Sequence, residues 1–279
     1  MASLDEFARE QAILTIMKTS GHAVVNELAE TFGVSTVTIR KDLDGLEQRN
    51  LLRRVRGGAV SVDGSDEGSF DLRMRQSSAA KRAIARSAAA IVRHGDVLAI
   101  DASSTGYYLA QEILDRRDLV VVTNALRVAI LFMEQSSAKV LVPGGLLRRS
   151  SGSLVGPIGD VLAGRGRIST GFFGVVGVST MHGLMEMSAE EAQTKRFLAD
   201  ACDRVVGLFD SGKVGGFGLH SFAAVPAITA MYTDTSAPAG LLAEWEKLGV
   251  PIHLVVPDAA DQARREHSPH RRSSTTGRH

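Results

Sequence analysis

The sequence predicts a two-domain α/β protein, with a small winged helix-turn-helix ahead of a larger, mostly parallel α/β domain. Three observations carry that prediction. Two stretches of helical apolar spacing are joined only by Phe32-Gly33-Val34-Ser35, the short turn of a helix-turn-helix. A basic segment ending in a glycine pair, within Leu51 to Val60, comes next and has the make-up of a wing. From Ala79 onward, short apolar strands alternate with helical segments, the pattern of strands covered on both faces. A chain of 279 residues is long enough to bury a core in each of two domains. The expected division is 1–62 for the winged helix-turn-helix, 63–78 for a linker, 79–258 for the α/β domain and 259–279 for a disordered polar tail.

In the first domain, residues 5–19 place Phe7, Ala8, Ile13, Leu14 and Met17 at roughly helical spacing, and Gly21 ends that helix. Val24 to Phe32 repeats the spacing and stops at Gly33, a residue suited to a left-handed cap. Ser35 is a natural N-cap for the third helix. On that helix Ile39, Leu43 and Leu46 fall within about 60° of arc and form a buried stripe. The first two turns then present Val37, Thr38, Arg40 and Lys41 outward, where a recognition helix carries its base- and phosphate-contacting side chains. Ser35 and Thr36 sit where hydroxyls and backbone N–H groups can hold a phosphate. Arg53, Arg54 and Arg56 on the wing would meet the flanking backbone. Local charge agrees: Met1 to Ser35 sums to −3 and Thr36 to Val62 to +3, on a chain whose net charge is only +1.

In the second domain the expected helices are 81–95, 107–114, 126–134 and 189–201, the last opened by a capping box at Ser188 and Glu191. Strands are expected at 97–101, 119–123, 139–142, 172–178, 205–209, 228–232 and 252–256. In an open α/β sheet the ligand crevice lies beyond the carboxyl ends of the strands. The turns there are Asp101-Ala102-Ser103-Ser104-Thr105, Thr123-Asn124, Gly144-Gly145 and Asp210-Ser211-Gly212-Lys213. The first opens a helix, whose N–H groups and dipole favour an anion. With Lys213 for charge and Asp101 and Asn124 for hydroxyls, these turns form a cradle for a small phosphorylated polyol. Ser103, Ser104, Thr105, Thr123, Gly144 and Gly145 complete the candidate set.

Composition narrows the classes. A single cysteine, Cys202, leaves neither a disulfide framework nor a cysteine metal cluster. Apolar content of 44% with no run near the roughly 20 residues of a membrane span points to a soluble, cytoplasmic protein with no membrane partner. No metal and no cofactor are expected. Asp101, Glu186, Glu190 and Asp210 could serve an isomerase as a base, but no spacing marks one of them for that role, so the expected protein is not an enzyme.

Residues 5–60 resemble the DeoR-type winged helix-turn-helix, whose pattern VSxxTIRRDLxxLExxGLLxRxHGGA is followed with Lys41, Asn50 and Arg56 in place of arginine, glycine and histidine. The strand-end turns resemble the family's C-terminal sensor. Its D-x-G-[ST]-T, TN, GG and D-x-SK motifs match Asp101 to Thr105, Thr123-Asn124, Gly144-Gly145 and Asp210 to Lys213, and E-E-A-x-x-K matches Glu190 to Lys195. Ser103 and Gly212 depart from the motif glycine and serine, and Ser169 is nearest the place of a missing aspartate. The resemblance implies a sensor related in fold to ribose-5-phosphate isomerase and CoA-transferase domains. It also implies a transcriptional regulator, usually a repressor of a sugar or nucleoside pathway. Its expected partners are double-stranded operator DNA, a phosphorylated sugar effector and further copies of itself, as a dimer or tetramer.

Overall fold

The computed structural model describes residues 4–49, 51–60, 70–156, 166–216 and 218–257. The expected tail over 259–279 and residues 63–69 of the expected linker lie outside them.

The first domain contains α1 (Leu4–Ser20), β1 (His22–Val24), α2 (Val25–Phe32), α3 (Thr36–Gln48), β2 (Arg53–Val55) and β3 (Gly58–Val60). Gly33 closes α2 in the left-handed conformation at φ 63°, which costs glycine no Cβ clash. Ser35 Oγ accepts the Thr38 N–H at 3.1 Å and so starts α3 where the sequence places it. Ile39, Leu43 and Leu46 are fully buried against Ile13, Met17, Leu28 and Leu52. Two ion pairs fasten α1 across α3: Arg9 to a buried Asp42 at 2.5 Å, and Arg49 to Glu10 at 2.5 Å. Strand β1 is too short to show a sequence pattern. It exists because β3 offers it a partner, with His22 opposite Val60 and Val24 opposite Gly58.

The second domain runs α4 (Phe70–Arg75), α5 (Ser78–Ala89), β4 (Val97–Ile100), α6 (Ser104–Glu112), β5 (Val120–Val122), α7 (Leu126–Gln135), β6 (Lys139–Leu141), β7 (Leu146–Arg148), β8 (Ser153–Val155) and β9 (Thr170–Gly174). It continues with β10 (Gly177–Ser179), β11 (Gly183–Glu186), α8 (Ala189–Asp200), β12 (Val205–Leu208), β13 (His220–Ala223), β14 (Ile228–Asp234), α9 (Ala239–Lys247) and β15 (Ile252–Val255). Helix α4 occupies part of the stretch read as linker. Its buried Phe70 packs edge-on against Tyr107 of α6, with ring centroids 5.6 Å apart.

Seven parallel strands form the main sheet in the order β15-β14-β12-β9-β4-β5-β6. One apolar cluster includes Ile84, Leu98, Leu109, Phe132 and Phe172; a second includes Ala99, Phe173, Leu198, Met231 and Trp245. Adjacent residues on β4 and on β9 enter different clusters, as a strand covered on both faces requires. The order reverses between β4 and β9, because β4 to β6 builds one way and β9 to β15 the other. The single strand expected at 172–178 divides in two. After Gly174 the chain leaves the parallel sheet and enters an antiparallel one, β10-β11-β13.

The two domains touch. Fully buried Val60 of β3 packs with Val176 and Met187, flanked by Val55 and Leu219.

Candidate functional site

The outer face of α3 is available to a partner. Val37 is 70% exposed, and Ser35, Arg40 and Lys41 are exposed beside it, with Thr36 and Thr38 half-buried. Ser35 Oγ and Thr38 Oγ1 lie 2.9 Å apart, so the cap and the face share a hydrogen bond. On the wing, Arg53 and Arg56 are exposed. Arg54 is not brought to them. Its backbone N–H donates to Glu47 Oε1 at 2.6 Å and its Nε lies 3.3 Å from Asp44 Oδ1, so its charge is turned back onto α3.

A second site lies at the strand-order reversal, where the sheet's carboxyl ends diverge. A cavity of about 440 Å³ is lined there by the first turn of α6 (Ser103, Ser104, Thr105), by Gly174-Val175 after β9, and by Asp210, Gly212 and Lys213 after β12. Ser103 Oγ caps α6 by accepting the Gly106 N–H at 2.9 Å, while Ser104 and Thr105 occupy the turn whose N–H groups have no intrahelical acceptor. The approach is close: a Cβ on Gly174 would come within 2.2 Å of Ser103 Cβ, so only glycine lets β9 pass the α6 cap. Lys213 forms no ion pair among the described residues.

Asp101 lies beneath this floor, fully buried. Its Oδ1 accepts the Ser103 N–H at 3.1 Å and its Oδ2 the Gly174 N–H at 2.8 Å, so it ties β4 to β9. Lys195 of α8 completes the arrangement. Its Nζ lies 2.8 Å from Asp101 Oδ2, donates to Gly174 O at 2.9 Å, and pairs with Glu186 of β11. An ammonium has three N–H donors, and these three acceptors match them, which offsets the cost of burying the charges. Asp101 is therefore a support for the cradle's walls.

The structure does not bring Thr123, Asn124, Gly144 or Gly145 into the cavity lining. Thr123 Oγ1 donates to Ile100 O at 2.6 Å and accepts the Ala125 N–H at 3.1 Å, joining the ends of β4 and β5. Asn124 Nδ2 donates to Leu154 O at 3.2 Å and fixes the β7–β8 hairpin. Gly144 is exposed, and Gly145 backs onto Val155 O, which would lie 2.7 Å from an added Cβ.

Other groups take their place. Arg148 of β7, Lys81 of α5 and Arg73 of α4 line the cavity, with Glu191 of α8. Glu191 Oε1 accepts from Ser151 and Ser153 and pairs with Arg148 at 3.2 Å, whereas its Oε2 is buried and accepts nothing from the described residues. The Ser188 cap holds, accepting the Glu191 N–H at 3.3 Å, but the Glu191 carboxylate turns to the hairpin and does not close the capping box. Ser188 Oγ also donates to Glu190, the main reason the Glu190 carboxyl lies below its ordinary value. The signal for Lys195 was present in the Glu190 to Lys195 motif. Arg148 and Lys81 gave none, because their place depends on packing between elements distant in sequence.

A model of the DeoR-like helix-turn-helix domain matches residues 9–65, and one of the DeoR C terminal sensor domain matches residues 76–235. The chain belongs to the DeoR family of transcriptional regulators. Among its DeoR-family relatives, the glycerol-3-phosphate regulon repressor of Escherichia coli (strain K12) is 30% identical over 84% of this chain and 93% of its own. The L-fucose operon activator of Haemophilus influenzae is 33% identical over 84% of this chain and 94% of its own. Among solved structures, ribose 5 phosphate isomerase A from Neisseria gonorrhoeae aligns at 14% identity and a TM-score of 0.37, covering 48% of this chain and 52% of that one, a likeness too slight to build on. This DeoR-family chain has no helix among the described residues long and apolar enough to cross a membrane.

Proposed function

We propose that this regulator is a cytoplasmic repressor of a sugar-pathway operon, and that a phosphorylated polyol in the cavity controls its hold on operator DNA. Double-stranded DNA is read by Val37, Thr38, Arg40 and Lys41 in the major groove, and Ser35, Thr36, Arg53 and Arg56 dock the flanking phosphates. Arg54 acts within the domain by bracing α3.

The observation that carries the effector reading is the chemistry of the cavity wall. The lining includes the α6 N-terminus, Lys213, Lys81 and Arg148, a set of donors that suits a phosphate. Glu191 also lines the cavity, and its buried Oε2 accepts nothing from the described residues, so a polyol hydroxyl reaching it would satisfy an acceptor. The names of the two relatives, one for a glycerol-3-phosphate regulon and one for an L-fucose operon, support this class of ligand.

A second copy completes the regulator, since helix-turn-helix proteins read paired half-sites as dimers. The edge strand β6 supports a place for that copy. Its outer side is unpaired among the described strands, and Ile130, Met133, Leu141, Val142, Leu146 and Leu147 are exposed around it.

Thermal shift of the intact protein against a panel of sugar phosphates tests the effector reading, because a ligand of the folded state raises the melting temperature by mass action. The proposal expects at least one hit that Lys213→Ala and Glu191→Gln both weaken, and that alters operator affinity. Turnover of a panel member without release of DNA would instead point to an isomerase.

A further inference from the structure

The DNA-binding domain forms part of the cavity. Ser20 and His22, at the corner between α1 and β1, line it together with Ser104, Lys81, Arg148 and Lys213 of the sensor. His22 is held in place by its own corner. Its Nδ1 lies 3.1 Å from Ser20 O, and Ser20 Oγ lies 2.8 Å from Ile16 O and 2.6 Å from His22 O. When Nδ1–H donates to that carbonyl, a neutral imidazole presents Nε2 as an acceptor.

The same corner is joined to the domain contact. His22 pairs in register with Val60, and Val60 is the buried residue that packs on Val176 and Met187. Met187 also lines the cavity, and Val176 directly follows the lining pair Gly174-Val175. The cavity therefore reaches the DNA-binding domain twice, by an open polar side chain and by an apolar contact, and both meet at one strand pair.

We propose that the effector site is composite, with His22 as an effector-binding residue: its Nε2 accepts a hydroxyl of the phosphorylated polyol whose phosphate is held by the sensor. This rests on the effector reading of the cavity. A ligand that touches both domains only when they are docked favours the docked arrangement by its differential affinity, and docking favours the ligand by the same factor. Val37, Arg40 and Lys41 stay exposed in that arrangement, so the effector acts on how the recognition helix is aimed, not by covering it.

The test is calorimetric titration of the full-length protein with inorganic phosphate, sn-glycerol 3-phosphate, fructose 1-phosphate and galactosamine 6-phosphate. Wild type is compared with His22→Ala, His22→Gln and Lys213→Ala, and hydrogen exchange of residues 20–25 and 58–60 is followed with and without the tightest-binding probe. The expected result is about a tenfold loss for that sugar phosphate in His22→Ala, with recovery in His22→Gln, whose amide oxygen is also an acceptor. Inorganic phosphate should change less than twofold in His22→Ala, and the probe should slow exchange at 20–25 in wild type but not in His22→Ala. Binding that falls in Lys213→Ala yet stays within twofold in both His22 variants, with no protection at 20–25, overturns the composite site and leaves the effector reading standing. Absence of binding by wild type to every probe removes the effector reading, and the composite site with it.

Discussion

Arg40, Arg53 and Arg54 lie within one basic stretch of sequence, yet the structure sets them in different surroundings. Arg40 projects from the open face of α3, so Arg40→Ala should lower specific operator affinity by tenfold or more, about 1–3 kcal/mol for a lost base contact, read by fluorescence anisotropy. Arg53→Ala should leave sequence preference intact and reduce the slope of log K against log salt by about one. Arg54→Ala should change that slope little and lower the domain's stability slightly, because the side-chain contact it removes is the ion pair with Asp44 of α3, while the backbone N–H to Glu47 remains. Lys195 is the strongest case for structural charge. Replacing it by alanine removes the ammonium from beside the buried Asp101 and Glu186, and urea unfolding should register a loss of about 3–5 kcal/mol. Burial pushes the Cys202 thiol up to about 12, so alkylation at pH 8 should be slow in the native protein and fast in denaturant.

At the scale of elements, what was legible in sequence was what is determined locally. The turn and cap at Gly33 and Ser35 and the stripe Ile39, Leu43 and Leu46 each depend on residues a few positions apart, and each is present as read. The parallel strands were legible because strands covered on both faces read as continuous apolar runs. Strands β11 and β13 were not, since β11 lies between β10 and β13 and these pairings join segments up to about forty residues apart. Of the strand-end motifs, those at Ser103 to Thr105 and Asp210 to Lys213 line the cavity, and those at Thr123-Asn124 and Gly144-Gly145 do not. A Thr-Asn pair reads the same whether it faces a ligand or ties β5 to β4, and only the third dimension tells these apart. The exposed apolar residues around β6 carry a prediction of their own. Met133→Asp combined with Leu146→Lys should shift the protein to a monomer in analytical ultracentrifugation and weaken binding to a two-half-site operator, with the sensor still folded. A dimer that survives both changes would place the second copy elsewhere.

At the scale of the whole molecule, the first domain has its own apolar cluster, the sensor has two, and among the described residues an apolar contact at Val60, Val176 and Met187 joins the domains. With separate apolar clusters, the two domains should unfold in separate transitions. Trp245, the single tryptophan of the chain, is 2% exposed in α9 and belongs to the sensor core. Its indole gives the protein an optical asymmetry. Emission should follow the melting of one domain and stay silent for the other, whereas far-ultraviolet dichroism sees the helices of both. Two dichroism transitions with a single fluorescence transition would separate the domains' stabilities in an unlabelled protein, and a ligand that bridges the domains should draw the two curves together.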